Sequence, residues 1–203
     1  MSNPHHLYSF RRCPYAMRAR MALSYAQIMV TVQDIELKNK PAEMLKHSPK
    51  GSVPVLVLND GTVIDESLDI MLWALNQHDP NNWLDHLNES QKLITQNDGD
   101  FKHTLDRYKY PNRYPDEDCT NARNNGCEFL ELLNTQLEKH KFINGDHITL
   151  ADIALFPFIR QFAHTDKEWF TAQEWKPLIS WLDHHLESDL FKKIMDKNLT
   201  KLP

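Results

Sequence analysis

The stretch Leu7-Tyr8-Ser9-Phe10-Arg11-Arg12-Cys13-Pro14-Tyr15-Ala16 decides how this chain folds, because an apolar run gives way there to a helical pattern within a few residues. His6 to Phe10 reads as a short strand, and Met17, Met21 and Tyr25 then recur at four-residue spacing along one helical face. Proline is favoured at the first helical position, where its missing NH costs nothing, so Pro14 makes Cys13 the N-cap. A sulfur at that point faces unpaired backbone NH groups and the positive end of the helix dipole, with Arg11 and Arg12 adding charge nearby. These features favour thiolate over thiol, so the pKa of Cys13 is expected to fall. The competing reading is an inert, buried cysteine.

Downstream, Ile28 to Ile35 is rich in β-branched residues and reads as a second strand, ended by Glu36-Leu37-Lys38-Asn39-Lys40-Pro41. A short helix is expected from Ala42 to Lys46, then a turn at Pro49-Lys50-Gly51-Ser52 and an apolar strand from Val53 to Leu58. Asn59-Asp60-Gly61 is a hairpin signal leading into Thr62-Val63-Ile64. Asp65-Glu66-Ser67 supplies a helix start, after which Leu68, Met71, Leu72 and Leu75 follow at i, i+3, i+4 and i+7. The order βαβ(α)ββα over residues 1–78 is that of an α/β, thioredoxin-like domain with a four-stranded mixed sheet.

Residues 79–88 are polar, carry Pro80 and suit a linker. Beyond them strand signals nearly vanish, and residues 89–203 read as an all-helical domain. Helices are expected over 89–109, over 116–140 after the breaks at Pro111 and Pro115, from Thr149 onward and over 177–186. Thr149-Leu150-Ala151-Asp152 is a capping box with aspartate in place of glutamate, and it opens an almost uniformly apolar helix through Phe162. Pro157 inside that helix is expected to kink it.

Composition narrows the function classes. The 203 residues carry a formal charge of -5, which offers no basic surface for nucleic acid. No apolar run approaches the roughly 20 residues of a membrane span, and the N-terminus lacks the apolar core of a signal peptide, so a cytoplasmic protein is expected. Cys13, Cys119 and Cys127 are an odd count far apart in sequence, which fits a reducing compartment. Cys119 and Cys127, eight apart, are read as ordinary residues of one helix. The eleven histidines, including His5-His6 and His184-His185, show no metal-ligand spacing, and no metal site is expected.

Cys13-Pro14-Tyr15-Ala16, Leu37-Lys38-Asn39-Lys40-Pro41, Val53-Pro54-Val55-Leu56 and Glu66-Ser67, in this order and spacing, resemble the cysteine-type, omega-like members of the glutathione transferase superfamily. The first motif is also similar to that of glutaredoxins that have lost their second cysteine. Ile148 to Ala163 resembles the family's helical-domain capping segment. The resemblance implies glutathione as co-substrate and a homodimer. It implies Cys13 as catalytic residue, with Tyr15, Lys40, Val53, Pro54, Glu66 and Ser67 around the tripeptide. The bond before Pro54 would be cis, which would turn the amide and carbonyl of Val53 outward to pair with an extended cysteinyl peptide. Ser67 and its NH would take the γ-glutamyl carboxylate, Glu66 the ammonium and Lys40 the glycyl carboxylate. General physics offers plainer roles: Ser67 as a helix cap, Lys40 as a solvated lysine that Lys38 could replace, and Tyr15 as packing. Tyr108, Tyr110 and Tyr114, with Arg107 and Arg113, either line a second-substrate pocket or pack a loop.

The activity so implied is glutathione-dependent thiol transfer, the reduction of mixed disulfides or of dehydroascorbate. Ala16 stands where a resolving cysteine would sit, so a single-thiol cycle is expected. The alternatives are conjugation of glutathione to electrophiles through Ser9 or Tyr8, and a non-catalytic interaction module of the same fold.

Overall fold

The computed structural model describes residues 4–203, which divide into two compact units. One comprises residues 4–82 together with Glu187–Pro203, and the other is Trp83–Leu186.

The first unit is built on β1 (His5–Ser9), α1 (Pro14–Tyr25) and β2 (Val30–Asp34). β1 and β2 pair in parallel, which requires a crossover connection, and α1 supplies it. Next come α2 (Ala42–His47), β3 (Val55–Val57), β4 (Val63–Ile64) and α3 (Ser67–Gln77), the order expected from the sequence. β3 runs antiparallel to both β1 and β4. It starts two residues later than the pattern suggests, after Pro54, which has no amide proton to give to a ladder. α1 is buried on nearly every side, and the small side chains of Ala16, Ala19 and Ala22 allow that close approach.

Two expectations fail at the C-terminus. The sheet has five strands, in the order β4-β3-β1-β2-β5, because β5 (Lys201–Leu202) adds antiparallel to the outer edge of β2. Residues 187–203 therefore belong to the first unit, not to the helical domain expected over 89–203. β5 covers an otherwise open edge, and its Leu202 is 1% exposed.

The second unit contains α4 (Leu87–Gln96), α5 (Lys102–Lys109), α6 (Ala122–Leu137), α7 (Leu150–Ala163), α8 (Lys167–Thr171) and most of α9 (Lys176–Glu187). α10 (Asp189–Ile194) follows in the first unit. The helix expected over 89–109 is divided by a π-helical turn at Asn97–Phe101, whose Asn-Asp-Gly-Asp run is poor in helix formers. α6 starts at Ala122 instead of residue 116, because the Asp118 carboxylate accepts the Thr120 amide at 2.9 Å and holds a turn. Cys119 thus lies before the helix that carries Cys127.

α7 runs from Leu150 through Pro157 to Ala163 and centres this unit. The buried Asp152 carboxylate accepts hydrogen bonds from the Thr149 amide at 2.8 Å and the Thr149 hydroxyl at 2.9 Å. It also accepts the Ile143 amide and the Trp181 indole NH, both at 2.9 Å. The expected capping box is therefore also the point where three segments meet. α6 passes α7 at Gly126, where an added Cβ would lie 2.5 Å from the Phe162 ring. Gly126→Ala should cost about 1–3 kcal/mol through overpacking, read by urea denaturation; an unchanged midpoint would show that the helices can part freely.

His185 is buried among Phe142, Phe156 and Trp181, and burial pushes its pKa down to about 3. The unfolded chain binds this proton near pH 6.5 and the folded chain does not, so the stabilisation is complete above pH 6.5. It is lost as pH falls toward 3, at about 1.4 kcal/mol per pH unit from this group. His185→Leu should flatten the acid limb of a stability-against-pH curve; an unaltered limb would refute the assignment.

Candidate active site

The turn from β1 into α1 is closed by the Cys13 amide, which donates to the Phe10 carbonyl at 3.0 Å. Cys13 has extended backbone at the N-cap, Pro14 occupies the first helical position, and the Cys13 carbonyl accepts the Met17 amide at 2.9 Å. Cys13 is half-buried against the cluster formed by Tyr8, Ala16, Ile35, Met44, Val53 and Val55, and its thiol donates to the Val53 carbonyl oxygen at 3.8 Å. The Val53–Pro54 peptide bond is cis. The structure therefore brings together two stretches 40 residues apart, the cysteine and the Val53-Pro54 turn.

Glu66 is the N-cap of α3, and Ser67, its first residue, is buried. Lys50 spans the two carboxylates before that helix, with Nζ 2.5 Å from Glu66 and 3.1 Å from Asp65. This lysine was not singled out in the sequence, where it reads as one polar residue of a turn. Asp65 also accepts the Ser48 hydroxyl at 2.7 Å. Gly51, at a φ of +63° that disfavours side chains, leaves room beside Lys40, whose Nζ would lie 3.3 Å from an added Cβ. Lys40 is exposed. Tyr15 is half-buried, with the Arg18 guanidinium 5.4 Å from its ring centre.

The alternative hydroxyls are otherwise engaged. Ser9 is 1% exposed, and its hydroxyl oxygen accepts a hydrogen bond from Arg20. Tyr8 is buried in the sheet, and burial first, then Glu43, pushes its phenol further above the neutral range. In the second unit, Arg107 stacks on Tyr114 at 4.3 Å and pairs with Glu117, while Arg113 stacks on Tyr110 at 3.9 Å. These contacts lie at the end of α5 and in the loop after it, and they are compatible with both roles read from the sequence.

Two family models match the chain: Glutathione S-transferase, N-terminal domain, over residues 7–82, and Glutathione S-transferase, C-terminal domain, over residues 123–184. The chain belongs to the glutathione transferase superfamily. Among the transferases it resembles is Glutathione S-transferase omega-1 of Mus musculus, 26% identical over 97% of this chain and 87% of that protein. Probable glutathione S-transferase DHAR1, cytosolic, of Oryza sativa subsp. japonica is 29% identical over 71% of this chain and 64% of that protein. A crystal structure of a glutathione transferase from Pseudomonas putida, with one glutathione disulfide bound per subunit, superposes with a TM-score of 0.82. It is 14% identical and covers 96% of this chain and 92% of that one.

The contacts around Asp65 can be tested directly. Its carboxyl is held below the usual range first by the Ser48 hydroxyl and then by Lys50, against the opposing effect of burial. Ser48→Ala and Lys50→Met should each raise the Asp65 pKa, as read by NMR titration of the carboxyl carbon; a carboxyl unmoved by both would contradict the contacts.

Proposed function

We propose that this transferase is a glutathione-dependent thiol transferase of omega-like type, with Cys13 as its single nucleophile. The observation that carries the reading is the half-buried Cys13 thiol at the start of α1, beside the carbonyl of Val53. The dipole of the helix start favours a thiolate, while the bond to the Val53 carbonyl favours the thiol until the backbone of an extended cysteinyl peptide takes that carbonyl over. The surrounding charges also suit glutathione. Lys40 and Lys50 can take carboxylates, Asp65 and Glu66 can take an ammonium, and Ser67 opens a helix whose NH groups favour an anion. The similarity to omega-1 and to a DHAR1 transferase supports reduction over conjugation.

In the proposed cycle the Cys13 thiolate attacks the glutathionyl sulfur of a mixed disulfide. The S–S bond breaks, the substrate leaves as a thiolate that takes a proton from solvent, and a Cys13–glutathione disulfide remains. A second glutathione thiolate attacks the glutathionyl sulfur of that adduct, forming glutathione disulfide and restoring the Cys13 thiolate. Ala16, fully buried where a second thiol would be needed, gives the adduct no internal route to resolution. Dehydroascorbate is the second substrate class in this reading. Homodimerisation and a cytoplasmic location belong to it as well, and sedimentation checks the first.

Conjugation through Ser9 or Tyr8 has less support, because one hydroxyl is committed to Arg20 and the other is held protonated by burial. Cys13→Ser should abolish glutathione-dependent disulfide and dehydroascorbate reduction, by about a hundredfold or more, as expected when a thiolate is replaced by an un-ionised hydroxyl. Ser9→Ala, which removes one acceptor of Arg20 and no reacting group, should lower it far less than Cys13→Ser does. Full reduction by Cys13→Ser, or its loss only in Ser9→Ala, would overturn the proposal.

A further inference from the structure

Two arginines of α1, Arg18 and Arg20, are buried in the first unit, and the bonds of the second reach the turn that carries Cys13. Arg20, on α1, is 1% exposed. Its guanidinium donates through Nη2 to the Arg11 carbonyl at 2.7 Å, through Nη1 to the Phe10 carbonyl at 3.4 Å and the Ser9 hydroxyl, and through Nε to the Ile194 carbonyl at 3.2 Å. Three of these acceptors are consecutive residues of the turn that delivers Cys13, and the fourth ends α10. The Phe10 carbonyl that Arg20 reaches is the one that accepts the Cys13 amide. From the other side, the Arg11 amide donates to Asp34 at 2.7 Å.

We propose that Arg20 is the positioning residue for Cys13, a buried fork that ties the Ser9-Phe10-Arg11 turn to α10 and so sets where the thiol stands. The proposal rests on Cys13 being the nucleophile. Arg20 touches no substrate; it acts through the turn. Planar, divergent donors suit this task, since one guanidinium can hold several carbonyls at fixed angles and an ammonium cannot. Burial pulls its pKa down to about 10, so it remains a cation at neutral pH, with Asp34, Cys13 and Arg11 the ionisable groups around it. The C-terminal return of the chain to the first unit thereby acquires a role beyond covering a sheet edge: it supplies the Ile194 carbonyl to the fork.

The test uses Arg20→Lys and Arg20→Met in the full-length chain with Cys119 and Cys127 replaced by serine, so that only Cys13 can be alkylated. The rate of reaction with iodoacetamide is followed against pH, alongside kcat and KM for glutathione in disulfide reduction. Arg20→Met should slow alkylation at neutral pH and lower kcat by about ten- to a hundredfold, the scale expected of a misplaced reacting group, with KM changed far less. Arg20→Lys, which keeps the charge but not the fork, should fall between methionine and arginine in kcat and lie closer to wild type in its alkylation profile. If Arg20→Met does not fold, the lysine variant alone decides. A folded variant with wild-type kcat and an unmoved profile overturns the proposal. Alkylation needs no glutathione, so a wild-type Cys13 no more reactive than an exposed cysteine would overturn the proposed function, while the difference between variants would still judge the role of Arg20.

Discussion

A guanidinium removed from water costs several kcal/mol unless its protons find acceptors, and much of the first unit answers that requirement at Arg20. Its acceptors come from β1, from the turn after it and from α10, the last of them 174 residues from Arg20 in sequence. Meeting them fixes the turn into α1, and with it the N-cap position of Cys13. It also brings residues 187–203 back to the sheet, where β5 closes the edge of β2. A fold assembled from the first 82 residues alone would leave Arg20 one carbonyl short.

The helical unit solves a similar problem with the opposite charge. Asp152 is buried with four donors around it, drawn from the start of α7, the segment before it and α9. A carboxylate so held is costly to disturb, because removing one donor leaves a charge without solvent. Around it the packing is aromatic, and a glycine at 126 lets α6 approach the Phe162 ring. Neither unit has a helix long and apolar enough to cross a membrane among the described residues.

Local chemistry made much of this readable. Pro14 marked the start of α1, Asn59-Asp60-Gly61 marked the hairpin, and Thr149 with Asp152 marked the start of α7, each through bonds among neighbours in sequence. The family stretches pointed to Val53 beside the cysteine. What escaped depends on distant partners or on very short elements. β5 has two residues, too few for any alternation to show, and α10 has six. Arg20 reads as one more polar position on a helix until Ile194 is seen beside it. Lys50 lay in a turn, and only folding set it across Asp65 and Glu66. Asp118 capped a turn where charge and spacing suggested an earlier helix.

The proposed chemistry needs one thiol to meet one tripeptide, and the fate of the sulfur after exposure to glutathione disulfide shows whether it does. Wild-type protein is incubated with glutathione disulfide, and its intact mass and peptide map are measured before and after reduction. A single glutathionyl adduct per chain is expected, on Cys13, removed by excess glutathione. An adduct confined to Cys119 or Cys127, or none at all, would contradict the proposed chemistry.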